Sequence, residues 1–325
     1  MTRQAQGRVR GLVRVRAGVR GWRAATAVTV LAALAAGCTL ETDRDGDGKR
    51  SGSGDGRVLA VKIDNVGPAR PQTGLDAADV VYAEQVEAGL SRLLAVYATK
   101  LPPVVGPVRS ARETDLDLLR QFDRPALAFS GAQSKLLPLI DRAPVRPLPP
   151  GRAPGSAYYR GDDKPAPHNL YLRPAALGVR PQASGLDSTG FTFGPRPAGG
   201  KPETRRTVRF PSARFAFTWV EYEGRWHIAM DGTPARTPAG KALTAATVVV
   251  QRVDIRDSRF HDRSGNTSPL TRTVGEGTAQ VLRDGRSYEA RWERGAADDG
   301  TEFTTPGGKP LPFAKGPVWV VFTKA

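Results

Sequence analysis

Three stretches decide how the chain is read: 58-VLAVKID-64, 79-DVVYAEQVE-87 and 91-SRLLAVYAT-99. Each is an apolar, β-branched run of strand length, and the second and third are parted by a short turn around Gly89. Pro68, Pro71 and Gly74 mark a loop between the first two. Downstream, Ser110-Ala111-Arg112-Glu113 fits a capping box, and Leu116, Leu119 and Phe122 follow at helical spacing. A further strand-like run, 126-ALAFSG-131, leads into a short helical segment over 136–140. This alternation predicts an α/β-type domain over 57–190.

The pattern changes in the second half. Residues 142–155 and 178–204 are crowded with Pro, Gly and Arg and read as connections. Between them, 157-AYYRGDDKPAPHNLYL-172 gathers Tyr158, Tyr159 and Tyr171 around His168 and Asn169. From Thr207 on, short strands come at turn-length intervals. Runs at 215–222 and 225–230 flank Glu223-Gly224, and runs at 279–283 and 287–293 flank the hairpin signal Asp284-Gly285. With 247-TVVVQRVDI-255 and 318-VWVVFT-323 they predict a β-rich, mostly antiparallel domain over 191–325, and an α+β chain as a whole. His227, in RWHIAM, reads as a sheet residue. No repeat of solenoid period is present.

The N-terminus reads differently. An Arg-rich stretch to Arg23 leads into 24-AATAVTVLAALAA-36, too short to span a bilayer as a mature helix. Gly37 and Cys38 follow, and Leu34-Ala35-Ala36-Gly37-Cys38 looks like a bacterial lipobox, with Ala35 standing where a larger aliphatic residue is usual. The expectation is a signal peptide over 1–37, lipidation of Cys38, and anchoring at about 0.8 kcal/mol per buried methylene. Residues 38–56, rich in Gly, Asp and Ser, read as a flexible tether to an extracytoplasmic membrane face. Asp43, Asp45 and Asp47 imitate a calcium loop, but Gly54 stands where its bidentate Glu is needed.

Composition narrows the chemistry. One Cys in 325 residues excludes a disulfide scaffold and any zinc site built on Cys pairs. Of the formal net charge of +16, seven Arg fall in the first 37 residues, leaving 41 basic against 32 acidic residues, a net of +9. Arg outnumbers Lys by 38 to 10, as a GC-rich genome would favour, and a diffuse positive field attracts anionic polymers. The sequence has no GxSxG, SxxK, phosphate-loop, GxGxxG or HExxH motif, and neither a metal site nor a cofactor is expected. The charge is not gathered with interleaved aromatics, so no nucleic-acid partner is expected.

A polar constellation remains in the first half. Gly106-Pro107-Val108-Arg109-Ser110-Ala111-Arg112-Glu113 brings two Arg to the start of a predicted helix, where free amides and the macrodipole are already positive. Either an anionic ligand relieves that cost, or Arg109 and Arg112 pair internally with Asp64, Glu84, Glu87 or Asp115.

VKIDNVGPARPQTGLDAADVVYAEQVEAGLSRLLAVY, then GPVRSARE, then PAPHNLY, resembles the YerB-type family of bacterial lipoproteins, which carries two domains of unknown function. The likeness runs from about Leu59 to the C-terminus, where GEGTAQVLRDG and GPVWVVF fit the second domain. It implies an α/β domain followed by a β-rich one, and no reaction. Positions matching the family's signatures include Asp64, Asn65, Arg70, Pro71, Gln72, Glu84, Arg92, Arg109, Ser110, Arg112, His168 and Asn169. Departures at Gln85 and Ala88 weigh against a role for Glu87. The expectation is a membrane-anchored envelope lipoprotein that binds an anionic cell-wall component or an envelope protein through its Arg site. The alternative is a hydrolase with Asp64 and Glu84 as acid and base.

Overall fold

In the computed structural model, the residues described are 57–325 except Arg263. The expected signal segment 1–37, the Cys38 lipidation site and the tether 38–56 lie outside the described residues.

The three opening runs form β1 (Leu59–Asp64), β2 (Val80–Gln85) and β3 (Ser91–Tyr97), with β3 antiparallel to both neighbours. The helix starts later than expected, at α1 (Glu113–Leu119). Arg112, not Ser110, precedes it, and the Asp115 carboxylate accepts the Arg112 backbone N–H at 2.7 Å. β4 (Ala126–Ala128), α2 (Leu137–Arg142) and β5 (Arg146–Pro147) follow. β6 (Tyr158–Arg160) and β7 (Leu170–Leu172) make a separate hairpin that carries His168 in its loop. The expected α/β layer is therefore thin: β4 and β5 are parallel to β1, but the two α-helices are short and strand residues outnumber α-helical ones.

The second half opens with β8 (Lys201–Pro202), β9 (Arg205–Arg209), β10 (Arg214–Val220), β11 (Arg225–Met230), β12 (Thr233–Pro234) and β13 (Thr244–Ala245). Strands β9 to β13 form a small five-stranded sheet. Then come β14 (Thr247–Val253), β15 (Ile255–His261), β16 (Thr267–Thr271), β17 (Gly275–Arg283), β18 (Arg286–Arg294), β19 (Glu302–Thr304) and β20 (Val318–Lys324). Asp284 and Gly285 turn β17 into β18 with φ of 50° and 66°, the left-handed pair that a tight hairpin requires.

One eleven-stranded sheet runs through both halves in the order β19-β18-β17-β14-β20-β2-β3-β1-β4-β5, with β8 on β18. The seam is β20, parallel to β14 on one side and to β2 on the other. Alternate side chains of these strands face opposite ways, so each strand serves two cores. Val61, Ile63, Val81, Leu93 and Trp319 pack toward the small sheet's Phe215, Phe217 and Trp226. Ala60, Tyr82, Leu94, Val320 and Phe322 belong to the core that α1 and α2 close with Leu118, Leu119, Phe122 and Ile140. Among the described residues no helix is long and apolar enough to cross a membrane.

Candidate functional site

At one end of the central strands the apolar pattern of the α1 face gives way to charge. Asp64, Arg92 and Glu84 stand opposite one another on β1, β3 and β2, so all three project to one face. Lys62 lies two residues before Asp64 and shares that face.

Lys62 is fully buried, and its Nζ donates to Glu84 Oε2 and to Asp115 Oδ1, each at 2.7 Å. A buried ammonium needs such partners, because its desolvation is otherwise uncompensated. One cation between two carboxylates leaves excess negative charge. Burial raises the Glu84 carboxyl to about 7, with the Asp115 charge adding to the rise and Lys62 opposing it. Glu84 Oε1 has no hydrogen-bond partner among the described residues.

A second pair lies nearby. Arg112 grips Glu87 with Nε to Oε1 at 2.5 Å and Nη2 to Oε2 at 2.8 Å, and Ser268 of β16 also donates to Glu87. Burial alone would raise the Glu87 carboxyl, but its bonds to Arg112 and Ser268 and the Arg92 charge hold it below the ordinary value. Glu87, which the departures at Gln85 and Ala88 weighed against, is thus the anchor of Arg112. Arg92 donates to the Ser110 carbonyl at 3.2 Å, and its guanidinium is pulled down to about 10, mainly by burial and then by the Arg112 charge.

Asp64 is 2% exposed, and its Oδ2 collects two groups. His168 Nδ1 lies 2.9 Å away in hydrogen-bond geometry, and Arg109 Nε lies 3.0 Å away as an ion pair off the hydrogen-bond line. Arg109 is placed by its backbone, which donates to the Lys62 carbonyl at 2.8 Å and accepts from Ser130 at 3.0 Å. Its Nε is enclosed, yet the side chain as a whole is 25% exposed and that of His168 is 18% exposed. The Arg109 terminal nitrogens and His168 Nε2 have no hydrogen-bond partner among the described residues. Ser110 Oγ faces Ser130 Oγ at 3.3 Å.

Three other expected site residues, Asn65, Arg70 and Asn169, make no bond to Asp64's carboxylate. Arg70 donates to the Asn65 carbonyl at 2.6 Å, to Asn65 Oδ1 at 3.2 Å and to Asp231 Oδ2 at 2.7 Å, while Asn65 Nδ2 donates to Ser91 at 2.9 Å. Arg70 therefore ties the end of β1 to the small sheet. Asn169 closes its own hairpin, accepting from Arg160 and donating to the Gly161 carbonyl, each at 2.7 Å. The acid/base reading of Asp64 and Glu84 loses its geometry: Glu84 is 1% exposed and ion-paired, out of a substrate's reach. Sequence reasoning did not single out Lys62; its signal is a charge with apolar residues on both sides, Val61 and Ile63, in mid-strand. Among the described residues no cluster of three or more His, Cys, Asp or Glu is arranged to hold a metal ion.

Fold and site together define a β protein of two sequence modules, joined by one sheet around a buried charge cluster. Family models divide the chain the same way: the "Protein of unknown function (DUF3048) N-terminal domain" matches residues 47–187, and the corresponding C-terminal domain matches 206–320. The chain belongs to this family, the YerB-like proteins. A curated relative named "Putative lipoprotein YerB", from Bacillus subtilis (strain 168), is 34% identical over 115 residues, 35% of this chain and 34% of the relative. That match spans about a third of the relative's length. The crystal structure of YerB protein from Bacillus subtilis shares the fold, with a TM-score of 0.69 at 21% identity over 83% of this chain and 91% of that one.

Proposed function

We propose that the protein is a lipid-anchored lipoprotein on the extracytoplasmic face of the cell membrane, and that it binds an anionic group of a cell-wall component through Arg109 and His168. The relative's printed name and the lipobox-like Leu34-Ala35-Ala36-Gly37-Cys38 support the anchor. The binding reading is carried by one observation: a single enclosed oxygen, Asp64 Oδ2, holds both Arg109 Nε and His168 Nδ1, leaving their other nitrogens without protein partners. A carboxylate used as a post in this way fixes the Arg109 guanidinium and the His168 ring, whose Nε2 donates to an anion when the ring carries both protons, before a ligand arrives, which lowers the ordering cost of binding. Arg92 and Arg112 support the site from behind, since both are committed to Ser110 and Glu87.

The test is isothermal titration of the full-length chain in phosphatidylcholine nanodiscs with inorganic phosphate and with a soluble peptidoglycan fragment. Saturable binding that weakens about tenfold in Arg109→Gln and in His168→Gln is expected, a loss of about 1.4 kcal/mol. Arg120→Gln, which removes an exposed arginine paired with Asp298, should bind as the wild type does. No saturable binding, or equal binding by Arg109→Gln, overturns the reading.

A further inference from the structure

A cleft of about 720 Å³ opens where β2 and β20 begin, at the other end of β2 from Glu84. That volume is in the range of sites for small organic ligands. Its apolar lining includes Leu186, Phe191, Phe193 and Pro317. Phe193 is 42% exposed, yet it is not a loose side chain: its ring sits edge-on to Phe313 at 6.1 Å, and its backbone bridges to the same residue. Phe191 packs against Phe313 and Phe303 at 5.0 and 5.9 Å. The fold thus holds an aromatic surface rigidly toward water, where it makes no use of its apolar area.

Three lysines also line the cleft, Lys100, Lys241 and Lys315, beside two acids, Asp76 and Asp79. Asp76 pairs with Lys241 at 3.1 Å, and Asp79 accepts from the backbone of Ala98 and Thr99 and from the Thr99 hydroxyl. Lys100 and Lys315 are left without a hydrogen-bond or ion-pair partner among the described residues. The cleft therefore combines an unused aromatic surface with two unpaired lysines and a net charge of +1, three lysines against Asp76 and Asp79.

We propose that this cleft binds a small organic anion with an aromatic or aliphatic body, the body on Phe191 and Phe193 and the charged group toward Lys100 and Lys315. Ammonium groups act as point charges without the planar fork of Arg, so the site takes carboxylate, phosphate or sulfonate alike and selects on the apolar body. It is separate from the Asp64 post and does not rest on the function proposed for that post.

The experiment uses the full-length chain in phosphatidylcholine nanodiscs, titrated calorimetrically with 1-naphthyl phosphate, with empty nanodiscs as the blank. With inorganic phosphate in excess to fill the Asp64 post, one saturable site is expected, at least about tenfold weaker in Lys100→Ala/Lys315→Ala and in Phe193→Ala. Neutral 1-naphthol should bind at least about tenfold more weakly than its phosphate, and Arg120→Gln, at a residue that does not line the cleft, should bind the probe as the wild type does. The lysines are exposed and unpaired, so their double variant keeps the fold, which an unchanged thermal midpoint verifies. Absence of saturable binding in excess phosphate, equal binding by the lysine variant, equal binding of 1-naphthol, or loss in Arg120→Gln each overturns the assignment.

Discussion

Lys62 and Glu84 meet 2.7 Å apart on neighbouring rows of the central sheet, 0% and 1% exposed, and the second Glu84 oxygen has no hydrogen-bond partner among the described residues. The pair is not a surface ornament of the fold. It is the point at which β1 carries a charge into the middle of its apolar run, where that charge has to be answered.

Removing the cation alone should be costly. Lys62→Met leaves Glu84 and Asp115 buried without their shared partner, and a loss of about 3–5 kcal/mol in denaturant unfolding is expected. The triple variant Lys62→Met/Glu84→Met/Asp115→Asn removes the imbalance while keeping an acceptor for the Arg112 amide, and it should recover most of that loss. A triple variant no more stable than the single one would mean that the cost comes from packing.

Glu84 also sets a pH dependence. Its folded carboxyl holds its proton up to about 7, whereas the unfolded one releases it near 4.5, so between these values the native state binds more protons. The stabilisation is fully present below about 4.5 and is lost as pH rises through about 7, with a slope of at most about 1.4 kcal/mol per pH unit. Glu84→Gln has no proton to release, so the wild type should lose stability relative to it between pH 5 and pH 8 in parallel urea titrations. Parallel curves for the two proteins would contradict this.

Arg112 and Glu87 should behave as one unit. Arg112→Ala leaves a carboxylate that is 5% exposed with Ser268 and, at 4.0 Å, Arg92, and a loss on the order of 2–4 kcal/mol is expected. Arg112→Lys restores charge without the two-pronged grip and should recover only part. In a double-mutant cycle with Glu87→Ala the effects should be strongly non-additive.

Asp64→Asn separates two views of the candidate site. If the site were a simple region of positive potential, deleting a neighbouring negative charge would tighten anion binding. As a post for Arg109 and His168, Asp64 should instead weaken binding about tenfold when replaced, as the loss of one charged hydrogen bond predicts. Phosphate titration of the two proteins decides the sign.

Much of the fold was legible because it is local. The runs at 58–64, 79–87 and 91–99 became β1, β2 and β3, and Asp284-Gly285 made the hairpin it signals. The helix start was misplaced because Ser110 lies in an extended segment held by the Lys62 and Gly131 carbonyls, a constraint from distant chain. The parallel placement of β20 between β14 and β2 was not legible, since its apolar run fits any buried strand. Internal pairing was one of two readings open for the arginines. The structure pairs Arg112 with Glu87 and Arg109 with Asp64, choices that depend on the register of β1, β2 and β3 and on no local motif.

The position of β20 has a consequence in time. A chain delivered N-terminus first presents β2 and β14 long before residues 318–324 arrive, and each then has a vacant hydrogen-bonding edge of nearly uniform apolar strand. Until β20 slots in, neither module can finish its half of the sheet. During that interval the emerging chain is exposed to pairing with other chains, so the last seven strand residues end a vulnerability that the rest of the sheet creates.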